Sequence, residues 1–292
     1  MKRSSFLEHV GWTGVGVAFT LGAAGTIVPL AADATPQGFN FIQISDSHIG
    51  FHLPANDDVA GTLTDVVDAI NARPVQPDFI VHTGDISHLA KPAQFDDAKQ
   101  ILSRLKAPLI TIPGEHDVIG GPQAYFAAFG TANAPKGWNS FDKGGIHFVS
   151  LVNVFNFEKM GTLGSEQLDW LANDLKPQKT DTPIVVFGHV PLYALYPQWG
   201  WTTEDGSKAL AMLARFSAVT VLNGHIHQII THTDGNIAFH SAHGTAYPLP
   251  APGSVPIPAP LKLPKDQLLK MLGYRSVQVT GGVTTIDETT LA

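Results

Sequence analysis

Five short apolar runs, each ending abruptly in a block of Asp, His, Glu or Gly, constrain the fold of this 292-residue chain more than any other feature. They span residues 39–45, 79–83, 108–112, 183–187 and 218–222 and are rich in Ile, Val and Phe, as strands covered on both faces are. Between the first two, Val59, Leu63, Val66, Val67 and Ile70 fall at helical spacing behind Asp57 and Asp58, which suit a helix N-terminus. Between the second and third, Phe95, Ala98, Leu102 and Leu105 repeat that spacing behind Pro92. Strands joined through a helix run parallel with a right-handed crossover, so the front half reads as a βαβαβ unit. Asp142-Lys143-Gly144-Gly145 is the turn of an antiparallel hairpin formed by residues 138–141 and 146–153, and Ser165 is expected to cap a helix carrying Leu168, Leu171 and Leu175.

Beyond His227 the pattern shortens to strands at 229–233 and 237–240, a proline-rich segment, a helix at 265–272 and a strand pair at 276–279 and 283–287. Seven Pro lie from Pro248 to Pro264, which predicts an extended strap lying over the surface without a core of its own. No repeat or linker divides residues 35–292, which read as one domain.

The blocks that end the five runs carry the chemistry. They are Asp46-Ser47-His48, Gly84-Asp85, Gly114-Glu115-His116-Asp117, Gly188-His189 and Gly224-His225-Ile226-His227. In open α/β folds the carboxyl ends of the strands form the ligand-binding edge, and the glycines let the backbone turn tightly there. One such His alone is more often a solvated or capped side chain. Five of five strand ends delivering Asp, Glu or His to one rim is electrostatically costly unless cations are bound there. The chain has no Cys, which removes disulfides, thiolate nucleophiles and sulfur-ligated metals, so any metal is held by His, Asp, Glu or Asn. A balance of 18 Lys+Arg against 25 Asp+Glu gives a net charge of -7, with no broad basic surface for general nucleic-acid binding.

In this order, D-x-H, GD, a GNHD-like block, GH and GHxH resemble the signature of the calcineurin-like metallophosphoesterase superfamily, and Gln167-Leu168-Asp169-Trp170-Leu171 looks like the helix that precedes its GH strand. The resemblance covers about residues 39–240. It implies an α/β fold, a four-layer α/β/β/α sandwich with a binuclear metal site at the carboxyl ends of the strands. It also implies two metal ions (Fe, Mn or Zn), with Asp46, His48 and His227 on the first, Asp85 bridging, and His189 and His225 on the second. Glu115 stands where the family has Asn and is the candidate remaining ligand. His116 would protonate the leaving alkoxide or stabilise the transition state, with Asp117 beside it in sequence. Two cations about 3.5–4 Å apart can bridge an attacking hydroxide and polarise a phosphoryl oxygen, so no covalent nucleophile is needed. This suits a chain without Cys or a G-x-S-x-G elbow.

The function expected is therefore metal-dependent hydrolysis of a small-molecule phosphate ester, with diesters favoured because an ionised Glu115 makes the site less electrophilic and penalises a monoester dianion. The alternatives are a catalytically weak periplasmic metal-binding protein on the same scaffold, or a docking module that uses the strap. Tyr193, Tyr196, Trp199 and Trp201 are candidates for the substrate mouth, and His88, His240 and His243 are further candidate contacts. At the start of the chain, Lys2 and Arg3 precede a Gly-rich apolar run over 10–30, followed by Ala32-Asp33-Ala34, an A-x-A pattern. Residues 1–34 thus read as a signal peptide, twin-arginine-like with Ser4 in place of the second Arg, and the protein as periplasmic or secreted without stable membrane anchoring after cleavage. A retained anchor is the alternative.

Overall fold

The computed structural model describes residues 19–21, 27–29, 39–132, 134–280 and 283–292. Two units are resolved by their internal contacts, Met1–Gln37 and Gly38–Ala292. In the first, β1 (Phe19–Leu21) and β2 (Ile27–Pro29) pair antiparallel. The remainder of the expected signal peptide lies outside the described residues, and no described helix is long and apolar enough to cross a membrane.

In the second unit, the runs at 39–45, 79–83 and 108–112 form β3 (Phe39–Ile44), β4 (Phe79–His82) and β5 (Leu109–Thr111), parallel to one another. They are joined through α1 (Val59–Asn71) and α2 (Pro92–Leu102). Asp58 caps α1, its carboxylate accepting from Gly61 N at 2.8 Å. A further helix, α3 (Gln123–Phe129), follows β5. The hairpin forms as β6 (Asn139–Lys143) and β7 (Ile146–Ser150). Next come α4 (Ser165–Leu175), β8 (Ile184–Gly188), α5 (Gly206–Leu213), β9 (Val219–Asn223), β10 (Thr231–Asp234), β11 (Ile237–Ser241), α6 (Lys265–Leu269), β12 (Gly273–Thr280) and β13 (Val283–Thr290). One sheet has the order β13-β12-β3-β4-β5 and the other β10-β11-β9-β8-β7-β6.

Alternation along the strands builds the layers. In β3, Phe39 and Phe41 point between the sheets while Ile42 and Ile44 point to the α1–α3 layer; in β8, Val185 and Phe187 point between the sheets while Ile184 and Val186 meet α4 and α5. The runs are rich in apolar residues because these strands are covered on both faces, and the result is the expected α/β/β/α sandwich. Phe148 anchors the middle layer, its ring 5.6 Å from that of Phe41, 4.9 Å from Phe141 and 6.0 Å from Phe187.

Two local expectations are corrected. Ser165 is the first residue of α4, not its cap, and the amides of Leu163 and Gly164 just before it donate to the Asp205 carboxylate at 2.8 and 2.9 Å. The helix expected at 265–272 ends at Leu269, and β12 opens four residues later at Gly273.

Candidate metal centre

All five terminal blocks meet at one edge of the sandwich, and the backbone there is unusual. Asp46 (φ 54°), His48 (φ 42°), Asp85 (φ 54°), His225 (φ 69°) and His227 (φ 50°) are non-glycine residues in left-handed conformation. Each costs about 1–2 kcal/mol and persists only where surrounding bonds fix it. Those bonds are present: Asp46 N donates to Gly84 O at 3.0 Å, His48 N to Asp85 O at 2.9 Å, and His225 N to Asp46 Oδ1 at 3.1 Å. Gly84 (φ 102°) and Gly224 permit this closeness. A Cβ at Gly84 would stand 2.7 Å from Gly114 N, and one at Gly224 would overlap the Ser45 hydroxyl.

Two donor groups result. Asp46, His48 and His227 form one, with His48 Nε2 and Asp46 Oδ1 each 3.2 Å from His227 Nε2. Glu115, His189 and His225 form the other, with Glu115 Oε2 2.8 Å from His189 Nε2 and Oε1 2.9 Å from His225 Nδ1. Asp85 Oδ2 stands between them, 3.5 Å from both His48 Nε2 and His189 Nε2. The second nitrogens are held by backbone: His189 Nδ1 donates to Thr83 O and His227 Nδ1 to Tyr247 O, both at 2.6 Å, which fixes Nε2 as the atom offered to the site.

Glu115 Oε2, His189 Nε2 and His225 Nδ1 make these close approaches without hydrogen-bond geometry, and buried His225 Nε2 has no hydrogen-bond partner. Orphaned polar atoms at a cluster of nitrogen and carboxylate donors fit divalent cations. Burial opposes ionisation of Glu115, yet the electrostatic and hydrogen-bonding effects of the His225 and His189 imidazoles beside it hold its carboxyl well below the usual carboxylate range. Burial likewise opposes ionisation of Asp46, and His227 and His189 hold it down at about 2. Burial and its cationic neighbours push the pKa of His48 well below the ordinary value, whereas the carboxylates beside His189 and His227 overcome burial and raise theirs, so that a cation binding there displaces protons.

His116 lines the cleft above these groups. Its Nδ1 donates to His88 O at 2.7 Å, leaving Nε2 free, and its ring stacks on His88 at 5.0 Å. Asp117, the other candidate catalytic residue, does not line that cleft. Fully buried, it accepts from Gly114 N and Ile86 N at 3.0 Å and from Ser87 N at 2.7 Å and Ser87 Oγ at 2.9 Å. These bonds occupy both oxygens and tie the loop after β5 to the loop after β4.

Trp199 and Trp201 line the cleft, whereas Tyr193 stacks on His232 and packs at a tilt against Phe239 elsewhere, and Tyr196 packs edge-on against Trp199. His240 and His243 do not line it; burial and Arg275 push both down to about 4.

Two contributors carried no motif. Tyr247 stacks on His48 and His227 at 4.9 Å each. Buried Arg275 on β12 donates to Glu288 Oε1 at 2.7 Å, Gln43 Oε1 at 3.2 Å and, across the sheets, Ser241 O at 2.5 Å. Only the cleavage of the chain into two sheets makes that reach visible, since Arg275 and Ser241 belong to different ones.

A four-layer sandwich with a two-part donor cluster at its strand ends is the architecture of a dimetal hydrolase. This chain belongs to the calcineurin-like phosphoesterase family, whose model matches residues 39–229. It is accordingly a metal-dependent phosphoric ester hydrolase with a site for two metal ions. Among curated proteins it is 25% identical over 219 residues to a probable cyclic nucleotide phosphodiesterase of Rhodococcus erythropolis, covering 73% of this chain and 72% of that protein. It is 28% identical over 199 residues to a glycerophosphodiester phosphodiesterase of Enterobacter lignolyticus, covering 64% and 70%. The fold is similar to that of a dimetal phosphatase from Danio rerio, with a TM-score of 0.58 at 15% identity, covering 87% of this chain and 99% of that one.

Proposed function

We propose that the protein is an exported phosphodiesterase in which Asp46, His48 and His227 hold one cation, Glu115, His189 and His225 hold the other, and Asp85 is shared. The observation that carries this reading is Asp85 Oδ2 standing 3.5 Å from an imidazole nitrogen of each group. When bound, the two cations supply Lewis acidity at the phosphoryl group and lower the pKa of water. The chain supplies the rest. His116, fixed through Nδ1, donates a proton from Nε2 to the departing alkoxide, and the bonds of Asp117 hold the His116 loop against the Asp85 loop.

Preference for diesters is supported by the phosphodiesterase names of both relatives, by the third carboxylate, Glu115, and by a cleft whose lining includes Lys159 but no Arg. Export is supported by Lys2, Arg3, the apolar run and Ala32-Asp33-Ala34, which make the protein periplasmic or secreted.

Turnover of bis(4-nitrophenyl) phosphate against 4-nitrophenyl phosphate, with Mn, Fe or Zn supplied, tests the chemistry. Diester hydrolysis exceeding monoester hydrolysis is expected, and the reverse order contradicts the reading. Fractionation of expressing cells tests export: mature protein with residues 1–34 removed is expected outside the cytoplasm.

A further inference from the structure

The cleft above the metal ligands has about 460 Å³ of space, and the wall made by its lining beyond the metal-site groups is mainly apolar. Leu53 and Phe157 stand there with Trp199 and, from the proline-rich strap, Leu249, Pro258 and Pro260. Beyond the metal-site groups and their histidines, charged residues at this wall are limited to Glu158 and Lys159. The strap is fixed in place. Leu261 N donates to Pro248 O at 2.9 Å, closing its ends on each other, while Gln228 Nε2 donates to Leu249 O at 3.0 Å and Trp199 Nε1 to Pro256 O at 3.3 Å.

Exposure points the same way. Among the described residues, seven large apolar side chains are exposed: Leu53, Val75, Leu89, Ile119, Ile229, Val255 and Ile257, the last at 74%. Of these, Leu53 lines the cleft, and Val255 and Ile257 belong to the strap whose Pro258 and Pro260 line it. Apolar side chains scattered over a surface need no explanation, but exposed ones on the lining of a chemical site and on the strap that walls it bear on what binds there.

We propose that the strap and the wall facing it form a subsite for an extended apolar substituent, so that the substrate is a phosphodiester carrying a hydrocarbon group of several carbons. The inference rests on the phosphodiesterase reading and deepens it. A polyol or sugar substituent would lose water along this wall and find few partners, whereas a hydrocarbon gains from every methylene it removes from water. The occupant is a single substrate molecule and not an anionic bilayer, which a chain of net charge -7 would repel.

The test uses the full metal-loaded protein and a series of 4-nitrophenyl phosphodiesters, methyl, butyl and octyl, dispersed below aggregation. The leaving group is constant, so only the second substituent varies. Each fully buried methylene is worth about fourfold, and kcat/KM is expected to rise at least about tenfold from methyl to octyl. The double substitution Leu53→Ser, Leu249→Ser should flatten that rise. Binding gives a readout independent of turnover: octylphosphonate should quench tryptophan fluorescence at far lower concentration than methylphosphonate. Hydrolysis with a flat series and equal phosphonate affinities would overturn the subsite while leaving the phosphodiesterase reading standing. Preferential octylphosphonate binding with no diester hydrolysed would do the opposite. Co-sedimentation with phosphatidylcholine vesicles alongside a flat dispersed series would make the rim a membrane contact and also overturn the subsite.

Discussion

Glu115 reaches His225, its Oε1 lying 2.9 Å from His225 Nδ1, so a carboxylate occupies the second donor group where the family pattern has a neutral amide. A third carboxylate lowers the formal charge of the site by one whatever the metals are. An incoming phosphomonoester dianion loses more attraction than a diester monoanion, and a site containing one ferric ion regains the charge. Glu115→Asn is therefore expected to raise the monoester-to-diester rate ratio by at least about tenfold, a difference of about 1.4 kcal/mol. Both esters are assayed at matched metal content. An unchanged ratio would contradict the charge argument.

Asp85 serves both donor groups, whereas His225 serves one. Asp85→Ala is expected to weaken both metals and His225→Ala mainly one. Metal titration followed by calorimetry checks this through the number of sites whose affinity falls. If Asp85→Ala kept both sites intact, Asp85 would not be the shared ligand.

The site was legible because its ligands cluster in short blocks at the ends of apolar runs, and the topology of parallel strands forces such ends to one edge. Residues that act from afar gave no such signal. Arg275 lies in a strand whose pattern looks ordinary, and its contacts with Gln43 and Ser241 depend on how two sheets face each other. Tyr247 sits beside the prolines and reads as loop until it is found stacked on two imidazoles. Adjacency in sequence does not place Asp117 beside His116 in the cleft: in a 3₁₀ turn, consecutive side chains diverge, and Asp117 turns inward while His116 turns to the cleft. Helix α5 escaped notice although Ala209, Leu210 and Leu213 have helical spacing, because its eight residues offer barely two turns of pattern.

Stability should depend strongly on the middle layer. Phe148 contacts the rings of Phe39, Phe41, Phe79, Phe141 and Phe187, and no solvent reaches it. Phe148→Ala is expected to cost about 3–5 kcal/mol. Denaturant unfolding at fixed metal concentration measures this, since bound metal shifts apparent stability. A loss below about 1 kcal/mol would mean that the sheets close over the cavity.

A pH-dependent contribution lies away from the cleft. His147 on β7 donates from Nδ1 to Asp142 at 2.7 Å and from Nε2 to Asp174 at 2.8 Å. Burial works to lower its pKa, but the hydrogen bonds and charges of Asp174 and Asp142 prevail and raise it above 6.5. A raised folded-state pKa stabilises the fold fully below the unfolded value, and that stabilisation is lost as pH rises through the folded value. His147→Gln should therefore cost more stability at pH 6 than at pH 9. Thermal unfolding of both proteins across that range checks the sign; a constant difference would show that the imidazole stays neutral.

The central claim is that Asp46, His48, Asp85, Glu115, His189, His225 and His227 make one centre for two cations. Elemental analysis of metal-saturated, washed protein measures it most directly. Two equivalents per chain are predicted, and one equivalent or none would contradict the account.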